Sequence, residues 1–187
     1  MSNLLDKFRL DPADTAVVVI DVQERLAAAM RPQVLEDVVH HARVLVQGAQ
    51  ALEVPTLYTE QYPKGLGPTI GPLQELFPNQ AAIEKVCFDA CDAEGFGAKL
   101  GSPGTVILAG MEAHICVLQT ALGLLREGRT VWVAQDTICS RRVANRQAAV
   151  RLLNEAGAIV APTETILFLM VQTAGSPNFK AISALVR

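Results

Sequence analysis

Val106-Ile107-Leu108-Ala109-Gly110-Met111-Glu112-Ala113-His114-Ile115-Cys116-Val117-Leu118-Gln119 is the stretch on which the reading of this chain turns. A short apolar run from Thr105 to Ala109 stops at a glycine, and a cysteine follows at the head of an apolar helical stretch. The pattern predicts a strand, a turn and a helix, with a thiol where the helix begins. Backbone N–H groups at a helix N-terminus point outward, and the macrodipole favours negative charge there. Such a position is expected to lower the pKa of Cys116 and to make it a nucleophile.

Moving outward, Thr15–Ile20 is a continuous β-branched run ending in Asp21. A run without polar alternation predicts a strand buried on both faces, as in a parallel sheet. From Pro32 to Leu52 the apolar residues recur at helical spacing, and Pro55 ends the element. Further strands are predicted at Val54–Thr59, Ala81–Val86, Thr130–Gln135 and Ala158–Ala161. Helices are predicted near 71–76, 94–100, 115–127, 144–156 and from 163 to about 171. A last helix to about Val186 is opened by Ser176 as N-cap and Pro177. The segment from Glu60 to Thr69, rich in Gly and Pro, reads as a long loop. Strands alternating with helices imply right-handed crossovers and a parallel α/β/α sheet. Ligand sites in such sheets lie at the carboxyl ends of strands. Asp21, Glu60, Lys85, the Gly110–Cys116 turn and Asp136 all fall there.

The 187 residues carry a net charge of −3, with half of them apolar. That fits one globular domain over 1–187, with a short N-terminal extension over about 1–12. It makes no electrostatic case for nucleic acid or an anionic membrane. No apolar run is long enough to span a bilayer, and the N-terminus shows no h-region, so a cytoplasmic location is expected. The four cysteines, Cys87, Cys91, Cys116 and Cys139, match no zinc spacing. Cys87, Cys91 and Cys139 read as buried spectator thiols.

A nucleophilic Cys116 needs a proton acceptor, and Asp21 fits that role. A protonated Lys85 would keep Asp21 and the thiolate anionic. Backbone N–H groups of the 111–116 turn, those of Glu112 and Cys116 above all, are candidates for an oxyanion hole.

These residues carry a resemblance. Asp21 in VVVIDVQERL, Lys85 in IEKVCF and Cys116 in VILAGMEAHICVLQTALGLLREG resemble the Asp–Lys–Cys triad of the isochorismatase-like cysteine hydrolases, over about Thr15 to Val171. The stretches YTEQYPKGLGPT and AQDTICSR further resemble family members of undefined substrate. The resemblance implies a Rossmann-like six-stranded parallel sheet, order 3-2-1-4-5-6, and hydrolysis of an amide or related C–N bond through a thioester. It also implies a non-proline cis peptide before the cysteine, here Met111–Glu112, which would aim N–H groups at the oxyanion.

Two departures narrow the activity. Nicotinamidases of this superfamily carry an Asp-x-His metal pair after the second strand; here that stretch is Tyr58-Thr59-Glu60-Gln61-Tyr62. Of the three histidines, His40 and His41 fall on the polar face of the first long helix, leaving only His114 near the turn. No metal and no cofactor is therefore expected. Isochorismatases proper, which cleave a vinyl ether, have a smaller residue where Cys116 stands.

Gln23, Glu60, Gln61, Phe88 and His114 are candidates for contact with a small-molecule substrate. Asp136 and Ser140 are expected to shape the loop after the fifth strand, and Arg141, Arg142, Arg146 and Arg151 to form a solvated face or a subunit contact. The helices after Cys116 and over 165–171 are apolar on more than one face, which predicts a homo-oligomer. Three rival readings stand beside the amide hydrolase. One is a catalytically weak scaffold or binding protein on the same fold; another is an isochorismatase-type vinyl ether hydrolase; the third is a thiol-redox protein, which would need a resolving cysteine near Cys116.

Overall fold

The computed structural model describes residues 5–187. Its centre is a six-stranded, all-parallel sheet of order β3-β2-β1-β4-β5-β6. The elements run β1 (Thr15–Ile20), α1 (Glu24–Ala28), α2 (Pro32–Ala51), β2 (Thr56–Gln61), α3 (Pro63–Leu66), α4 (Gly71–Gln74), β3 (Ile83–Lys85) and α5 (Phe96–Leu100). After them come β4 (Thr105–Met111), a π-helical turn (Ala113–Val117), α6 (Leu118–Arg126), β5 (Thr130–Cys139), α7 (Val143–Ala156), β6 (Ile159–Ala161), α8 (Thr163–Val171) and α9 (Phe179–Leu185).

β1 and β4 are buried at every position, as their unbroken apolar runs require. The two-residue period of a strand divides them between two cores. Val17, Val19, Ile107 and Ala109 face α2, α8 and α9, while Ala16, Val18, Ile20, Val106 and Leu108 face α5, α6 and α7. The first strands thus place Asp21, Lys85 and the turn after Met111 at one edge. The N-terminal extension expected over about 1–12 lies outside the described residues over 1–4. Beyond that, Leu10 is buried in the first core, and the Phe8 ring meets Trp132 edge-on.

The structure departs from the sequence-based elements in ways that matter for the site. β4 runs on to Met111, and β5 extends over ten residues to Cys139 instead of stopping at Gln135. The pairing jumps from Leu108↔Val133 to Gly110↔Ile138, so the polar Gln135-Asp136 pair is bulged out and the strand resumes beyond it. Glu60 and Gln61 belong to β2, not to the loop. α1 had no counterpart in the sequence reading, and the 63–66 segment forms one helical turn. The last helix begins at Phe179 behind Asn178, because Ser176 and Pro177 lie in the preceding turn. Thr163 is the first residue of α8, with its hydroxyl donating to Asp136 at 2.7 Å. Among the described residues no helix is long and apolar enough to cross a membrane.

Candidate active site

β1 ends in a sharp turn. Asp21 has φ of +50°, a conformation that Asp tolerates better than most residues. Its N–H donates to Thr59 O at 3.2 Å, and its own carbonyl accepts from Gln23 N at 2.8 Å. The side chain is wholly buried, and both carboxylate oxygens are used. Oδ1 accepts from Thr59 Oγ1 at 2.6 Å and Oδ2 from Lys85 Nζ at 2.7 Å. Lys85 arrives from β3 with its side chain equally sealed from solvent. A buried ion pair persists only when its remaining hydrogen-bonding capacity is met. Lys85 Nζ meets it with Gln61 Oε1 at 2.7 Å and with the carbonyls of Cys87 and Phe88 at 3.3 and 3.4 Å.

Cys116 completes the group. β4 delivers the chain to Glu112, the Met111–Glu112 peptide is cis, and the π-helical turn follows. In that turn Ile115 N and Val117 N both donate to Glu112 O. π-helical turns are rare and favour functional positions. The cysteine therefore sits before the start of α6, inside the irregular turn and not at a regular helix N-terminus.

Its ionisation differs from the sequence-based expectation. The thiol is 5% exposed, and its pKa is pushed up to about 12. Burial is the main cause and the Asp21 carboxylate the second, with Lys85 acting the other way. Desolvation of the anion and the neighbouring carboxylate outweigh the pull of Lys85. Cys116 is thus a neutral thiol near pH 7, against a carboxylate able to take its proton. Of the other three cysteines only Cys139 is buried; Cys87 and Cys91 are half-buried.

The substrate-contact candidates separate. Gln23 is wholly buried, with Nε2 donating to Gln61 O at 3.0 Å and Gly67 O at 2.7 Å, while Oε1 accepts from Gln61 N at 2.8 Å. It clasps the loop after β2 to β1 and has no amide proton left for a ligand. Glu60 Oε1 accepts from Thr69 N and Oγ1 at 2.7 and 2.8 Å, closing the same loop. Gln61 faces Lys85. Phe88 is half exposed, so it is not a core residue. His114 is bracketed, with Nε2 accepting from Asn145 Nδ2 at 3.1 Å and Nδ1 at 2.9 Å from Ser140 Oγ.

Arg141 was expected on a solvated or subunit face. Its side chain is exposed, as expected, and in addition its N and Nε donate to the buried Glu112 carboxylate at 2.8 and 3.0 Å, tying the loop after β5 to the turn that carries Cys116. Asp136 shapes its loop as expected, by accepting from Thr163 N and Oγ1. Thr59 and Arg141 escaped the sequence reading. Thr59 was findable once β1 was paired with β2, because it stands opposite Ile20 in register. Nothing in the sequence linked Arg141 to Glu112.

Among the described residues no group of three His, Cys, Asp or Glu side chains is arranged to hold a metal ion. His40 and His41 lie on α2, and His41 Nδ1 is 2.7 Å from Asp37 O. A cavity of about 400 Å³ borders β3, walled by Tyr62, Lys64, Glu84, Val86 and Glu94. Lys85 is among its lining residues, with its side chain sealed from bulk solvent.

The isochorismatase domain model matches residues 15–165, and the chain belongs to the isochorismatase family. It is 34% identical over 182 residues to isochorismatase domain-containing protein 2 of Danio rerio, covering 95% of this chain and 89% of the relative. Among solved structures it resembles the MAR1 ribonuclease of Caenorhabditis elegans, with a TM-score of 0.90 and 35% identity over 95% of this chain and 92% of that one. It also resembles YcaC of Pseudomonas aeruginosa, solved with hexane-2,5-diol and covalent acrylamide, at a TM-score of 0.87 and 26% identity over 98% and 93% of the two chains. The six-stranded order and the flanking helices are those of the isochorismatase-family hydrolase fold.

Proposed function

We propose that the protein is a metal-independent cysteine hydrolase that cleaves an amide or related C–N bond of a small molecule, with Asp21, Lys85 and Cys116 as its catalytic residues. The observation that carries this reading is the fully buried Asp21–Lys85 pair, 2.7 Å apart, acting on a protonated Cys116 thiol. A buried charge pair contributes little net stability. A thiol of raised pKa beside that pair at the strand ends favours chemistry instead.

As Cys116 Sγ bonds to the substrate carbonyl carbon, its proton passes to Asp21. The oxyanion lies against the backbone N–H groups of Glu112 and Cys116. Asp21 returns the proton to the departing amine, the C–N bond breaks, and a thioester remains. Water then attacks that carbonyl with Asp21 again accepting a proton. The C–S bond breaks, Asp21 returns that proton to Cys116 Sγ to restore the thiol, and the acid leaves. Lys85 holds the Asp21 carboxyl group in place through both halves. Metal independence rests on the donors. The strand end after β2 offers Gln61 and Tyr62, and both ring nitrogens of His114 are engaged.

The panel that tests this contains small amides, carbamoyl compounds and nicotinamide, with Cys116→Ala as blank. The relative named a ribonuclease adds an RNA oligonucleotide, although the charge of −3 gives a phosphate backbone no attraction. Turnover of an amide by the native protein, lost in a Cys116→Ala variant of unchanged melting temperature, is expected. Turnover retained by that variant rejects the thioester. The scaffold reading is favoured by one observation, the 5% exposure of Cys116. It predicts no turnover of any member of the panel.

A homo-oligomer and a cytoplasmic setting belong to the same proposal. Tyr62, Val86 and Phe88 present an exposed apolar group beside the β3 end, of the kind a second subunit covers. The four cysteines all stand as thiols, as in a reducing compartment.

A further inference from the structure

Gln61 was a candidate for substrate contact, yet every polar atom it has is engaged inside the protein. Its Nε2 donates to Val86 O at 2.8 Å. That bond decides which end of the amide faces inward, so Oε1 is the atom presented to Lys85 Nζ at 2.7 Å. The residue stands opposite Lys85 in the parallel β2–β3 register, at the last position of both strands. Its main chain is held separately, through Gln23.

An ammonium has three protons to place. Lys85 gives its two short bonds to one charged acceptor, Asp21, and one neutral acceptor, Gln61. The carbonyls of Cys87 and Phe88 are longer contacts. Around this ammonium the charged and titratable groups are Asp21 from the β1 end and the Cys116 thiol from the π-helical turn; β2 contributes the uncharged Gln61. Asp21 and Lys85 balance, so the group carries no net charge before the thiol ionises.

We infer that Gln61 is a positioning residue for the Cys116 site: its side-chain oxygen holds the Lys85 ammonium beside Asp21, and its neutrality sets how much of that positive charge the developing thiolate receives. The inference rests on the hydrolase reading above. It assigns the amide a task other than contact with substrate. A carboxylate in its place would claim the ammonium and oppose a second anion. An apolar side chain of the same length would leave the ammonium short of a partner that the thiolate can replace. The two substitutions therefore act in opposite directions, and because Gln23 bonds only to the main chain of Gln61, both leave the loop clasp in place.

The test is the pH dependence of Cys116 alkylation by iodoacetamide, read on the Cys116 peptide by mass spectrometry in the full chain. Rates are compared at fixed pH values from 7 to 10, and the melting temperature of each variant checks that the thiol stays enclosed. Gln61→Glu is expected to move the profile to higher pH, and alkylation at a fixed pH slows about tenfold for every whole pH step by which the profile moves. Gln61→Met is expected to move it to lower pH. Either variant decides alone if the other fails to fold. A folded variant with the native profile, or two variants displaced the same way, overturns the inference; a purely structural role lowers the melting temperature and leaves the profile in place. Lys85→Met tells failure of the triad from failure of the Gln61 role. Its profile should move to higher pH. A native profile there rejects the triad itself, whereas a displaced Lys85→Met profile beside unmoved Gln61 variants rejects only the role of Gln61.

Discussion

At the residue scale the ionisation of the buried thiols has consequences that can be measured. With Cys116 pushed up to about 12, its thiolate fraction near neutral pH is small. The alkylation rate of the native protein at this residue should therefore climb about tenfold per pH unit from pH 7 past pH 9. A plateau reached below pH 8 would mean that the thiolate is already formed at rest. Cys139 is also raised to about 12, by burial first and the Glu112 charge second, with Arg146 opposing. For a thiol whose folded pKa lies above its unfolded value, the stabilising contribution is full below the unfolded pKa and is lost as pH rises toward the folded one. From pH 9 upward Cys139 should thus cost about 1.4 kcal/mol of stability per pH unit. Urea midpoints measured from pH 8 to 11 should fall less steeply in Cys139→Ala. Equal slopes would reject the raised pKa.

At the scale of elements, two glycines mark where backbones come too close for a side chain. Gly110 has φ of +115°, and a Cβ there would lie 2.0 Å from Ile20 O, in the neighbouring strand that leads to Asp21. Backbone cannot yield as a side chain can, so Gly110→Ala should cost at least about 3 kcal/mol. A variant of native urea midpoint would contradict the packing of β4 on β1. Gly48 of α2 is a milder case. Its Cβ would meet Leu167 Cδ2 at 2.5 Å, and a side-chain end shifts more readily than backbone, so Gly48→Ala should cost about 1–3 kcal/mol. The α8 stripe that pointed to an oligomer is largely accounted for within the chain. Ile166, Leu167 and Met170 are buried with α2, and Phe168 meets Phe179 of α9.

At the scale of the molecule the case for association moves to the other end of the sheet. Val86 is 78% exposed and Tyr62 54%, with Phe88 beside them, at the β3 edge next to the proposed catalytic group. Light scattering at micromolar concentration should report a mass above that of one chain, and Val86→Glu should reduce it. A monomer in the native protein would remove the oligomer from the proposal.

The sequence alone determined the sheet, its strand order through a family resemblance, and the three residues of the candidate site. Asp21, Lys85 and Cys116 were legible because apolar strands end where the chain must turn polar, and the crossover rule sends those ends to one edge. Element limits were legible where an apolar run met a charged residue, as β1 does at Asp21, or where a helix stopped on a glycine, as α7 does at Gly157; Gly110 misled, because β4 runs on to Met111. The β5 bulge hid behind Gln135-Asp136, whose polarity looked like an ending and is a detour. Tertiary structure decided the rest, because it depends on contacts between residues far apart in the chain. It closed Gln23 onto Gln61 and Gly67, turned Gln61 toward Lys85, joined Arg141 to Glu112, and moved Cys116 off the regular helix start into a turn so enclosed that burial raises its pKa. A helix start can be read from a local pattern; the dielectric around a thiol is set by everything packed against it.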